Sequence, residues 1–116
     1  MTSKEIAMLS AKILDKKKAF DIAVIDIGTK SSFADYFVLA SGNTERQLGT
    51  LRDEVEDQFA KEGFIVKSIE GKQTSGWILM DYGDVIVNIL TVEMRERYSL
   101  EKVWGDCEII MFAEQT

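Results

Sequence analysis

Tyr36-Phe37-Val38-Leu39-Ala40-Ser41-Gly42-Asn43-Thr44-Glu45-Arg46-Gln47-Leu48 is the stretch on which the fold turns. Its first five residues are almost continuously apolar, as expected of a strand in a sheet covered on both faces. Ser41-Gly42-Asn43 breaks that strand, and Thr44 with Gln47 has the spacing of a capping box. Leu48, Leu51, Val55 and Phe59 then recur at steps of three, four and four, a single helical stripe. Arg52, Asp53, Glu56 and Asp57 fall on its wet side. Gly63 stands where a glycine in the left-handed conformation ends a helix. A covered strand running directly into an amphipathic helix predicts an α/β domain.

Upstream, Thr2 and Glu5 have capping-box spacing, with Ser3 as a competing cap. Ile6, Leu9, Ile13 and Leu14 then form the apolar face of a first helix that ends at Lys16-Lys17-Lys18. Residues 22–27 are β-branched and too few for a helix, which predicts a strand; residues 28–32 have turn composition. Downstream, residues 64–69 predict a third strand and residues 71–76 a polar loop. Residues 77–80 and 85–90 flank Asp81-Tyr82-Gly83-Asp84 as a hairpin. Thr91 caps a short helix over 93–98, a further turn covers 100–104, and Gly105 stops it. The apolar tail Ile109-Ile110-Met111-Phe112 either pairs as an edge strand or docks on a neighbour. The sum is a mixed sheet of about five strands flanked by helices. No repeat or linker divides residues 1–116, so one domain is expected.

Composition narrows the function. The chain has 116 residues, 46% hydrophobic and 29% charged, which suits a folded domain with its own core. Cys107 is the only cysteine, so no disulfide forms within the chain, and a lone thiol without a secretion signal suggests a reducing cytoplasm. No apolar run approaches the roughly 20 residues of a membrane span. Histidine is absent, which excludes serine–histidine and cysteine–histidine nucleophile pairs. The net charge of −6 argues against gripping nucleic acid by neutralising phosphates. That charge is uneven. Residues 1–20 carry five lysines against Glu5 and Asp15, a local excess of three positive charges on an otherwise acidic body. It reads either as an RNA or partner contact, or as cations suited to a helix C-terminus.

The sequence offers little catalytic chemistry. Ser41-Gly42-Asn43-Thr44 joins strand to helix but has one glycine and no lysine–serine pair for a nucleotide phosphate. Asp81 and Asp84 flank the hairpin tip, and Asp26 and Asp35 lie at strand ends. Paired carboxylates can hold magnesium, but aspartates in turns are also what side-chain bonding to backbone amides predicts. What remains is surface. Trp77 opens a strand after a polar loop, Tyr82 sits at the hairpin tip, and Tyr98 ends a short helix; such rings are enriched in binding hot spots. Tyr82 is expected to be exposed. Trp77 and Tyr98 are either exposed contacts or core residues facing each other under the hairpin.

Several blocks together carry a resemblance. Residues 34–42 (Ala-Asp-Tyr-Phe-Val-Leu-Ala-Ser-Gly) with Arg46-Gln47, Glu70-Gly71, residues 77–87, Glu93-Met94-Arg95 and residues 98–104 resemble the iojap-like ribosomal silencing factor family, over nearly the whole chain and in order. The resemblance implies a non-enzymatic translation repressor of nucleotidyltransferase-like fold, needing no cofactor or metal. It implies binding to the large ribosomal subunit through its fourteenth L-series protein. Joining of the small subunit would then be blocked when nutrients are scarce. It also implies a homodimer, little direct contact with nucleic acid and none with membrane. On matched positions it implies that Trp77, Asp81, Tyr82, Asp84 and Tyr98 contact the partner. Asn88 departs from the family, which usually has histidine there, and Leu90 stands where phenylalanine is common. Asparagine hydrogen-bonds but takes no proton at cellular pH. Fold analogy alone offers the alternative, a small nucleotidyltransferase-like enzyme using aspartates and magnesium.

Overall fold

The structure, a computed structural model, describes residues 1–111; Phe112, the last residue of the apolar tail, lies outside them. In chain order the elements are α1 (Ser3–Lys16), β1 (Phe20–Asp26), β2 (Tyr36–Gly42), α2 (Glu45–Lys61), β3 (Ser68–Glu70), β4 (Trp77–Asp81), β5 (Val85–Thr91), α3 (Val92–Tyr98), α4 (Leu100–Val103) and β6 (Glu108–Met111). Among the described residues the strands form one sheet in the order β3-β4-β5-β2-β1-β6. Only β2 and β5 run parallel; the other neighbours are antiparallel. The mixed α/β sheet is as expected. It has one strand more than the five anticipated, because the tail pairs with β1, Asp26 opposite Glu108 and Val24 opposite Ile110.

The helices form where local chemistry dictates. Thr2 caps α1, its hydroxyl accepting from the Glu5 amide at 3.1 Å while the Glu5 carboxylate accepts from the Thr2 amide at 2.9 Å. At α2 the Thr44 hydroxyl takes the Gln47 amide at 3.0 Å, but the Gln47 side chain reaches one residue further back, to the Asn43 amide. The end of α2 is a Schellman motif: the Phe64 amide donates to the Phe59 carbonyl at 2.8 Å and the Gly63 amide to Ala60 at 3.0 Å, with Gly63 at φ +88°. Phe64 then packs its ring on Phe59, centroids 6.0 Å apart. That closure shortens the strand predicted over 64–69. The Phe64 amide is committed to the helix end and Ile65 is 73% exposed, so pairing starts only at Ser68.

The sheet separates two unequal layers. On one side Leu14, Leu48, Leu51, Val55 and Phe59 of α1 and α2 cover Val24, Val38, Ile78, Met80, Val87 and Ile89, and all of these are fully buried. Each such side chain contributes roughly 2 kcal/mol through the area withdrawn from water. On the other side Ile25, Phe37, Leu39 and Leu90 meet a thinner cover of Met94, Leu100 and Trp104, which are only half-buried. The functional candidates lie mostly on this thinner side.

Candidate functional site

The site begins at the glycine before β4. Gly76 has φ +79°, and a Cβ there would meet the Cγ of Met94 at 2.8 Å. Only glycine both adopts this turn and lets α3 approach. The Gly76 carbonyl accepts from the Thr91 amide at 2.9 Å, tying the start of β4 to the start of α3. Thr91 also caps α3 through the Met94 amide.

Trp77 follows. Its indole Nε1–H donates to Asn88 Oδ1 at 3.0 Å. Its ring meets Tyr98, centroids 5.1 Å apart and planes tilted by 48°. Trp77 is half-buried and Tyr98 is 48% exposed. The two expected alternatives therefore both hold in part: the rings do face each other, yet they do so at the surface. Beside them lies an open, mostly apolar depression of about 290 Å³, lined by Glu70, Gly71, Ser75, Trp77, Leu79 and Met94.

Asp81 lies at the far end of β4, on the same face as Trp77 and Leu79 by the alternation of a strand. Its Oδ1 accepts from the Gly83 amide at 2.7 Å. Asp26 does the same with the Gly28 amide at 3.2 Å. These are the turn roles that composition suggested. Asp84 is exposed, and its carbonyl accepts from the amides of Asp35 and Tyr36 at 2.8 and 3.0 Å, fixing the hairpin to β2.

Tyr82 is a correction. Expected to be exposed at the tip, it folds back onto the helical layer and packs edge-on against Phe59, centroids 4.7 Å apart. Its hydroxyl oxygen is buried without a hydrogen-bond partner. Burial first, and the charge of Glu56 second, push its pKa up to about 12. The reason is apolar area: Phe59 and Phe64 form a floor under the hairpin tip, and covering it outweighs one unpaired hydroxyl. Of the five residues nominated, Trp77 and Tyr98 meet, Asp81 shares their face at a distance, Asp84 sits at the rim of the tip, and Tyr82 faces the other layer.

A second cavity, of about 400 Å³, lies behind α3 and is lined by Asp21, Ser41, Arg95, Glu96, Ser99 and Glu101 among others. Arg95 bonds Ser41 Oγ at 3.0 Å and Glu101 Oε2 at 3.1 and 2.8 Å. Burial would raise the Glu101 carboxyl, but the hydrogen bond and charge of Arg95 with a backbone bond outweigh it, holding Glu101 below the usual carboxylate value. The pair joins α3 to α4 and to β2, which is a structural task. Among the described residues no group of three or more His, Cys, Asp or Glu is placed to hold a metal, and no helix is long and apolar enough to cross a membrane.

Residues 1–116 match the family described as ribosomal silencing factor during starvation. The chain belongs to that family. A Bacillus subtilis relative named ribosomal silencing factor RsfS is 38% identical over 109 residues, covering 94% of this chain and 92% of that protein. A mouse relative named mitochondrial assembly of ribosomal large subunit protein 1 is 33% identical over 104 residues, 86% of this chain and 45% of its own length. A crystal structure of a Chromobacterium violaceum protein superposes with a TM-score of 0.87 at 30% identity, over 90% of this chain and 88% of that one.

Within this silencing-factor fold, the reading from sequence nominated only Trp77 among the residues lining the depression and missed Glu70, Gly71, Ser75, Leu79 and Met94. Leu79 was legible in principle, two residues beyond Trp77 on one strand face. Met94 and Glu70 come from other elements, and only the sheet order and the Gly76–α3 contact bring them near.

Proposed function

We infer that the chain silences ribosomes by binding the large subunit and obstructing its association with the small one, slowing translation when nutrients are limiting. Membership of the silencing-factor family supports this, as do relatives named for ribosome silencing and for large-subunit assembly. The structural observation that carries it is the Trp77–Tyr98 pair, two large rings at the surface beside an apolar depression on the thinly covered side of the sheet. Such rings suit a protein–protein hot spot. The partner in this reading is a basic ribosomal protein, the fourteenth of the L series, because an acidic body of net charge −6 is attracted to it and repelled by RNA. Asp81 and Asp84 then steer the encounter from the rim, and Tyr82 supports the hairpin from behind. The action is steric, in the cytoplasm, without catalysis or cofactor. A homodimer would form at the β6 edge of the sheet.

The test is co-sedimentation with purified large subunits, joined to a subunit-association assay. Tyr98→Ala, at a half-exposed position, should weaken binding by about 2 kcal/mol, roughly thirtyfold, while thermal unfolding shifts little. Trp77→Ala should weaken it at least as much. Recovery of the unsubstituted chain only in the free fraction, with subunit joining unimpeded, would overturn the reading.

A further inference from the structure

The geometry points to Asn88 as the residue that positions Trp77 for binding. The inference rests on the ribosome-binding reading but concerns a residue that reading does not use. Asn88 is fully buried in the middle of β5. In its row across the sheet it stands between Leu79 of β4 and Leu39 of β2, both apolar. An amide in such a place is costly unless its polar atoms are satisfied. Its Nδ2 reaches the Val38 carbonyl only at 3.5 Å, the long limit of a hydrogen bond. Its one good bond is the 3.0 Å acceptance from the Trp77 indole. The amide's orientation is unambiguous, since an indole nitrogen only donates and a carbonyl only accepts.

Leucine would fill this row with no polar group to satisfy. What asparagine adds is a fixed acceptor in the interior of the sheet, aimed at the half-buried ring. With the N–H anchored and Tyr98 against its face, the indole is held in one orientation over the depression. Holding a contact ring before the partner arrives lowers the ordering cost of binding. Asn88, being buried, touches no partner and acts only through Trp77.

The experiment uses the full chain with Trp104→Phe, which leaves Trp77 as the only tryptophan. On that background Asn88→Leu should fold with unfolding temperature unchanged or higher. The emission of Trp77 should move to the red and its quenching by acrylamide should rise. Affinity for large subunits should fall about fivefold to tenfold, the scale of one buried hydrogen bond. With Trp77→Phe as the starting chain, a ring without an N–H, Asn88→Leu should cause no further loss of affinity. Unchanged emission and quenching, or an equal loss in both backgrounds, would overturn the assignment. If Asn88→Leu does not fold, hydrogen exchange of the Trp77 indole N–H in the unsubstituted chain decides: slow exchange supports the bond, and the rate of an unprotected indole refutes it. If the unsubstituted chain does not bind large subunits, the functional reading fails, while the optical and exchange measurements still judge Asn88.

Discussion

Tyr82 illustrates how one side chain answers to neighbours distant in sequence. Its place in a four-residue connection foretold exposure, but Phe59 at the end of α2 and Phe64 just beyond it supply the apolar floor that draws the ring inward. Nothing local to residues 81–84 reveals that floor. The buried hydroxyl yields two expectations. Tyr82→Phe removes an unpaired polar atom and should stabilise the fold by about 1 kcal/mol in urea denaturation at neutral pH, with binding to large subunits unaffected. The alkaline limb should change as well. Because the folded pKa of about 12 lies above the ordinary 10.0, this group's contribution is whole below pH 10 and is lost as pH rises through the folded value. Tyr82→Phe should reduce that loss. Tyr36, also raised chiefly by burial, keeps a part of it. Trp77 differs: the sequence nominates it but leaves exposed and core positions equally open, and its half-burial follows from its contacts with Asn88 and Tyr98.

At the level of elements, the two long helices were readable because their signals are local: caps at Thr2 and Thr44, stripes at helical spacing, and Gly63 at the end. Both close with the same motif, but α1 does so without glycine. Lys18 occupies the position equivalent to Gly63 with φ +74°, while the Ala19 amide donates to Leu14 and the Lys18 amide to Asp15, both at 3.0 Å. A side chain in that conformation costs about 1 kcal/mol. Lys18→Gly should therefore raise stability by up to that amount, and a gain in the urea midpoint at unchanged slope would show it. Loss of stability would mean that the Lys18 side chain makes a compensating contact. Residues 64–67 were misjudged for the complementary reason. Their β-branched composition suits a strand, but the Phe64 amide is spent on closing α2, and the backbone reaches β4 only at Lys67, whose amide donates to the Asp81 carbonyl at 2.8 Å. A short β3 also limits the unpaired edge it presents.

For the molecule as a whole, composition and alternation gave the α/β class and most strand positions. The order of strands was not legible, because it depends on β5 returning to lie parallel beside β2 after the chain has passed through α2, β3 and β4. The depression beside Trp77 depends on that order, so its lining was illegible too. Charge, by contrast, is a property of the whole chain and needs no topology. If the acidic body meets a basic partner, raising ionic strength from low to physiological should slow association with large subunits by about tenfold, with dissociation little changed. Stopped-flow mixing would measure both rates, and a salt-independent association rate would count against an electrostatic approach.

The pairing of β6 with β1 has a kinetic corollary. It joins residue 108 to residue 26, so most of the chain must be gathered before that ladder can zip. Closing so large a loop is entropically expensive, and contacts of this kind form late and open early. Local unfolding should thus start at this border of the sheet, transiently baring the β1 backbone while the helix-covered core remains intact.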